Sequence, residues 1–323
     1  MKIKTTLAAM AAVLCLGAAH AAPAKPECIA PAKPGGGFDL TCKLAQSGLT
    51  NGNYLSEPMR VSYMPGGIGA VAYNTVIAQR PDEGGTIVAF SGGSILNLAI
   101  GKFGKYTEKD VKWLAAVGAD YGAIIVRADS PYKTLKDLIE ATRTDPAKVV
   151  FGAGGSVGSQ DWMKSALIAK EAGVNFRKMR YVAFEGGGEA LTALLGGHVQ
   201  AYSGDASEVG AYLKSGKVRV LAVLSPERLP GELASIPTAK EQGYPVEWAI
   251  IRGFYVGPKV SDADYKWWTA SFDKMLNSPE FAKLRNERGL FPFALTGDKL
   301  SAYIEKDVKR YADLAKEFGL GAQ

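Results

Sequence analysis

The sequence predicts an α/β chain folded as two lobes joined by a hinge, with a helical tail packed back on the first lobe. Three observations lead there. Short apolar runs alternate with helix-like patterns along most of the chain, which is the signature of a mostly parallel sheet with helices on both faces. A chain of 323 residues is too long for one simple core and comfortable for two. After Pro258 the strands cease, and Leu300, Tyr303, Ile304, Val308, Tyr311 and Leu314 mark one face of a 3.6-residue period. Such a tail packs across an existing lobe. The chain is therefore expected to leave lobe one near residues 127–130 and return near 251–257. That makes residues 22–127 plus 251–323 lobe one, and 128–250 lobe two. Two crossings form a hinge of the kind that closes around a ligand.

Taken in order, the first residues read as an address. Lys2 and Lys4 precede a nearly continuous apolar run over residues 7–17, and Ala19-His20-Ala21 offers the small-x-small pattern of a signal-peptidase site. Residues 1–21 are predicted to be a cleaved signal peptide. Cys15 raises the alternative of a lipid anchor, but Leu14 stands where such sites need a small residue. No later run approaches the ~18 apolar residues of a membrane span. An exported, soluble protein follows, located in the periplasm, with its ligand outside the cytoplasm. Removing 21 of 323 residues leaves 302, and losing Lys2 and Lys4 reduces the net charge from +6 to +4. The basic residues are scattered among acids, so no nucleic-acid stripe is present. A mild positive balance suits an anionic ligand.

Strands are expected at residues 60–64, 86–90, 123–126, 149–151, 179–182, 218–224 and 254–256. Helices are expected at 40–49, 70–79, 135–142 and 162–172. Cys28 begins a strand, and Cys42 lies one turn into the helix that follows residues 34–39. A strand-loop-helix reversal brings these two near each other. In an oxidising compartment a bridge closing this ~15-residue loop contributes about 3 kcal/mol on the chain-entropy model. The alternative is two buried free thiols.

Glycine placement carries the most information. Pro34-Gly35-Gly36-Gly37-Phe38-Asp39 follows the first strand and opens the first helix. Pro65-Gly66-Gly67-Ile68-Gly69 does the same after the second strand, and Ser91-Gly92-Gly93-Ser94 ends the third. In the second half, residues 152–159, Gly186-Gly187-Gly188 and Ser203-Gly204-Asp205 each precede a helix. Glycine lets backbone approach a ligand closely. The first N–H groups of a helix lack internal partners and sit at its positive end. Such turns favour a carboxylate or phosphate, and in parallel sheets they gather at the carboxyl ends of the strands. Each could also be a simple capped connection, with Asp39 and Ser159 as caps.

Enzyme readings find little support. Gly154-Gly155-Ser156-Val157-Gly158 matches G-x-S-x-G, but after residue 21 the chain has one histidine, His198, at an apparent helix end. Gly67-Ile68-Gly69-Ala70-Val71-Ala72 matches a dinucleotide fingerprint without an acidic residue closing the next strand. One histidine and two bridge-placed cysteines leave no metal cluster. No catalysis, metal or cofactor is expected.

Residues 29–39, 64–69, 80–86, 152–160, 185–197, 217–222, 225–228 and 236–243 occur in an order that resembles one bacterial family. The chain is similar to the extracytoplasmic solute receptors of tripartite tricarboxylate transporters, the TctC or Bug family, over nearly all of it beyond residue 21. The resemblance implies a type II-like, Venus-flytrap periplasmic binding protein that is monomeric. It would close on a carboxylic acid such as citrate and deliver it to membrane permease subunits. It implies a carboxylate held between residues 34–39 and 154–160 by the amides of Gly36, Gly37 and Phe38 and the hydroxyls of Ser156 and Ser159. Gly186 and Gly187 would line the cleft. Lys33, Gly35, Asp39, Ser91, Gly154, Gln160 and Asp205 complete the candidate contacts. Two departures stand out. Phe38 occupies the place of a small hydroxyl residue, which points to aromatic packing. Ser203-Gly204 replaces a Phe-Asp pair, with Asp205 one place later, and a missing acid there favours a fully anionic ligand over an amino acid. Lys33 could meet an additional carboxylate or simply be solvated. Readings left open are a receptor for another organic or aromatic acid, an orphan ligand sensor, and a secreted hydrolase using Ser156.

Overall fold

The computed structural model describes residues 22–320; the expected signal peptide at 1–21 lies outside them. The chain begins with β1 (Glu27–Ala30), α1 (Gly37–Asn51), β2 (Arg60–Tyr63), α2 (Ala70–Gln79), β3 (Thr86–Ser91) and α3 (Gly92–Ala99), then enters the 16-residue β4 (Lys112–Arg127). The second lobe follows as α4 (Leu135–Thr144), β5 (Val150–Gly154), α5 (Gln160–Glu171), β6 (Arg180–Phe184), α6 (Gly187–Leu195), β7 (Ala201–Asp205), α7 (Gly210–Lys214) and β8 (Val218–Val223). β9 (Ala249–Val256) returns to the first lobe, where α8 (Asp262–Leu276), α9 (Pro279–Glu287), β10 (Leu295–Thr296) and α10 (Gly297–Glu317) complete the chain.

The strands form one continuous sheet ordered β2-β1-β3-β9-β4-β7-β5-β6, with β8 and β10 also pairing with β4. β1 runs parallel to β2 and β3, and β5 runs parallel to β6 and β7. The expectation of a mostly parallel sheet fails at the centre. There β9 is antiparallel to β3 and β4, and β4 is antiparallel to β7 and β8. The reason is the return path: a strand coming back beside β4 from the far lobe runs against it. β4 pairs with β9 up to Tyr121 and with β7 and β8 from Gly122 onward, so a single strand links both lobes.

Each lobe buries its own core. Cys28, Leu44, Phe254, Trp268 and Phe272 lie in the first, and Ile125, Leu194, Tyr202 and Val220 in the second. A larger cluster runs through both, from Phe90 and Trp113 to Trp162 and Trp248. α10 packs on α3, β4 and β10 of lobe one. Its far end also reaches lobe two, where Phe318 meets Trp162 edge-on at 6.1 Å and Phe176 at 4.9 Å. No helix among the described residues is long and apolar enough to cross a membrane.

Cys28 and Cys42 are joined by a disulfide, with Cα atoms 5.6 Å apart, and both are fully buried. It ties β1 to the first turns of α1 and thereby fixes both ends of the loop at residues 34–39. Thiol titration of the denatured, unreduced protein is expected to find neither of these cysteines free. Two reactive thiols from this pair would refute the bridge.

Candidate functional site

The loop between β1 and α1 is shaped from within lobe one. Gly35 takes φ +94°, a region that favours glycine. Asp39 accepts the Gly35 N–H at 2.9 Å and the Tyr63 hydroxyl at 2.8 Å, and pairs with Lys43 at 2.8 Å. Its carboxylate therefore braces the loop from within lobe one, and Asp39 does not line the inner cavity. Gly36 is the N-cap of α1 and supplies no side-chain cap, which leaves the first amides of α1 to meet partners from outside the helix.

The loop between β5 and α5 mirrors it. Ser159 caps α5 by accepting the Trp162 N–H at 3.3 Å, and its hydroxyl donates to the Gly154 carbonyl at 2.9 Å. Asp161 accepts the Gly154 N–H at 3.0 Å, and Tyr181 donates to the Gly155 carbonyl at 2.6 Å. The turn before α6 then meets the first loop across the cleft. A methyl group on Gly188 would lie 2.7 Å from the Pro34 carbonyl oxygen, and one on Gly186 would lie 3.1 Å from the Ala32 Cβ. Only glycine allows two backbones to approach this closely.

Beneath these turns lies a buried charge cluster. Arg252 on β9, 2% exposed, donates to Asp120 of β4 at 2.6 and 3.1 Å and to Asp205 of β7 at 2.7 Å. Lys164 on α5, fully buried, pairs with Asp161 at 2.8 Å and Asp205 at 2.7 Å, and donates to the Gly204 carbonyl at 2.6 Å. Burial alone would raise the pKa of Asp205, but Lys164 and Arg252 outweigh it and hold the carboxyl below its ordinary range. Burial likewise opposes the charge on Lys164, yet Asp161 and Asp205 keep its pKa above the usual value. Arg252 belongs to the first-lobe sheet and Asp205 to the second, so the cluster spans the lobes.

A cavity of about 40 Å³ sits between the turns. Gly36, Gly37 and Phe38 line it from the first loop, with Ser91 from the end of β3. Gly154, Ser159, Gln160, Gly186, Gly187 and Asp205 line it from lobe two. Ile68, Asn97 and Ser159 also line a neighbouring hollow of about 490 Å³, within the range of small-molecule sites. Ser156 lies in this outer hollow, where its hydroxyl accepts from Lys102 at 3.0 Å; Lys102 also donates to the Val157 carbonyl at 2.7 Å. Burial lowers the pKa of Lys102. Lys33 stands at the rim, paired with Glu189 at 2.5 Å across the lobes. Of the candidate contacts, Lys33, Gly35, Asp39 and Ser156 thus lie outside the inner cavity's wall, each engaged with protein groups or shaping the loop.

Sequence reasoning missed Asn97, Lys102, Asp161, Glu208 and Arg252. Arg252 left a signal, a lone charge in the apolar run Ala249–Val256, whereas Lys102 and Glu208 look like ordinary surface residues until the fold brings them in. The buried side-chain oxygens of Asn97 and Gln160 have no partner among the described residues, and both face the inner cavity. A terminal amide turned by 180° presents NH₂ there instead, so each can meet an acceptor or a donor.

A cleft closed between two lobes by facing glycine turns defines a two-lobed solute-binding protein. The sequence model of the tripartite tricarboxylate transporter family receptor matches residues 43–320, and the chain belongs to that family. Protein BugT of Bordetella pertussis is 26% identical over 92% of this chain and 90% of its own length. Among solved structures, the periplasmic binding protein BugD superimposes with TM-score 0.83 at 22% identity, covering 93% of this chain and 99% of its own. MatC of Rhodopseudomonas palustris, solved with bound malate, gives 0.78 at 21% identity over 90% and 98%. The family is one of receptors, not enzymes, and Gly154-Gly155-Ser156-Val157-Gly158 forms the turn between β5 and α5.

Proposed function

We propose that the chain is a monomeric periplasmic receptor that captures a small di- or tricarboxylate, such as citrate, and delivers it to the permease subunits of a tripartite transporter. Residues 22–127 with 251–323 and residues 128–250 act as the two closing lobes. The observation that carries this reading is the pair of glycine turns facing each other across one cavity, with helix-start amides on both sides. An anion placed there is held by N–H groups and helix dipoles without a dedicated charged side chain. Lys102, at the mouth of the same cleft, supplies a cation for a second carboxylate. The malate held by MatC, a protein of the same fold, supports a dicarboxylate. Phe38 in the inner wall supports a second reading, an acid with an aromatic ring.

A thermal-shift screen over organic acids tests both. A ligand at 100 times its Kd adds about 2.7 kcal/mol to stability. Stabilisation by malate or citrate supports the first reading, and stabilisation by benzoate-like acids alone supports the second. If no carboxylate raises the melting temperature, the reading is wrong.

A further inference from the structure

Glu208 does something that neither the glycine pattern nor the resemblance anticipates. From the far side of the cleft its carboxylate accepts the Gly37 N–H at 2.7 Å, one of the amides expected to hold the ligand. Its second oxygen accepts the Tyr202 hydroxyl and the Asp205 N–H. Glu208 lines the inner cavity and is half-buried. An internal carboxylate thus sits where a bound carboxylate would dock.

The charges around it leave Glu208 as the surplus acid. Two cations, Arg252 and Lys164, face four carboxylates: Asp120 on β4, Asp161 on α5, Asp205 at the end of β7, and Glu208. Arg252 bonds Asp120 and Asp205, and Lys164 bonds Asp161 and Asp205. Among the described residues no cation bonds Glu208; Gly37, Tyr202 and the Asp205 N–H are its donors, and the Gly187 backbone packs beside it. A second carboxylate brought to the Gly37 amide would lie against Glu208, and two like charges at one site are relieved when one takes a proton.

We propose that Glu208 couples ligand capture to proton uptake: a docking carboxylate displaces it from Gly37, and Glu208 takes up and keeps a proton, through which its hydroxyl donates a hydrogen bond to the ligand. The inference rests on the carboxylate reading. Burial, followed by the Asp205 charge, pushes Glu208 up to about 7, although Arg252 acts the other way. Glu208 is therefore poised to change protonation near neutral pH. A group of this pKa is about nine-tenths protonated at pH 6 and about one-tenth at pH 8, so carboxylate affinity should weaken about tenfold over that range.

Titration calorimetry of the whole protein with malate and with citrate, at pH 6 and pH 8 and in two buffers of different ionisation heat, tests this. The expected result is a roughly tenfold weaker Kd at pH 8, with uptake of about nine-tenths of a proton per ligand at pH 8 and about one-tenth at pH 6. Glu208→Gln should bind with the same affinity at both pH values and lose the buffer dependence, because its amide donates a hydrogen bond without taking up a proton. Binding of either acid to the unmodified protein with no proton uptake and no pH dependence overturns the proposal, whether or not the variant folds. Failure of malate, citrate and every other carboxylate to bind at any pH overturns the carboxylate reading and this inference with it.

Discussion

Arg252→Met is expected to destabilise the protein by about 3–5 kcal/mol, the cost typical of removing one partner from a buried ion pair. The loss would not come from the volume of the side chain, which methionine largely restores. It would come from Asp120 and Asp205, 0% and 4% exposed, which would stay buried with less compensation. Asp120 would keep Ser207, which donates at 2.6 and 3.2 Å, and Asp205 would keep Lys164. The pH dependence gives a signature. In the native protein Lys164 and Arg252 hold Asp205 below its unfolded value, so that contribution is present above the unfolded pKa and fades as pH falls through the folded one. Without Arg252 the carboxyl groups shift upward, and the folded state gains protons that the unfolded chain has already lost. The deficit of the variant should therefore shrink as pH falls from 8 to 5. Urea unfolding at several pH values measures both effects. A loss below about 1 kcal/mol at pH 7 would mean that water or relaxation compensates the pair, against the burial seen here.

This cluster also shows what the amino-acid sequence made legible and what it did not. The loops were readable because their chemistry is local: glycine between an apolar run and a helix pattern marks a turn that can present amides. α2 was expected at residues 70–79 and forms at Ala70–Gln79. The centre of the sheet was much less readable. Only residues 123–126 of the 16-residue β4 were expected, because Gly118, Asp120 and Gly122 interrupt its apolar run. Asp120 is there to meet Arg252, 132 positions later, and Gly122 has no side chain because Lys164 and Leu224 fill its space. β7 was read as a turn, since Ser203-Gly204-Asp205 has turn composition. It is a fully buried strand whose polar groups are consumed by Asp161, Lys164 and Arg252. Asp205, expected as a candidate contact, lines the cavity together with Glu208, which the pattern did not single out. Long-range charge pairing overrides local pattern at these positions, and a single sequence carries no record of which distant residues meet.

Gly188→Ala should separate folding from binding by moving them in opposite directions. The residue lies in the first turn of α6, with a backbone conformation open to any amino acid. Replacing a helical glycine by alanine is worth roughly 0.5–1 kcal/mol of stability when nothing obstructs the methyl group. In the open form nothing from the first loop would. In the closed form the methyl would lie 2.7 Å from the Pro34 carbonyl oxygen, 2.9 Å from the Gly35 carbonyl carbon and 3.1 Å from the Gly36 nitrogen. All three are backbone atoms of a loop braced by Asp39 and tied by the Cys28–Cys42 bridge, so the loop cannot yield cheaply. Overpacking of this kind costs about 1–3 kcal/mol, which at 1.4 kcal/mol per tenfold weakens ligand affinity by up to about a hundredfold. The cost falls on the closed state alone, so the unliganded variant should melt no lower than the unmodified protein while losing most of its carboxylate-induced stabilisation. Calorimetric Kd values for malate, beside melting curves without ligand, test both halves. Unchanged affinity would show that the ligand is held without apposition of the Pro34 and Gly188 turns, and the two-sided clamp would have to be abandoned.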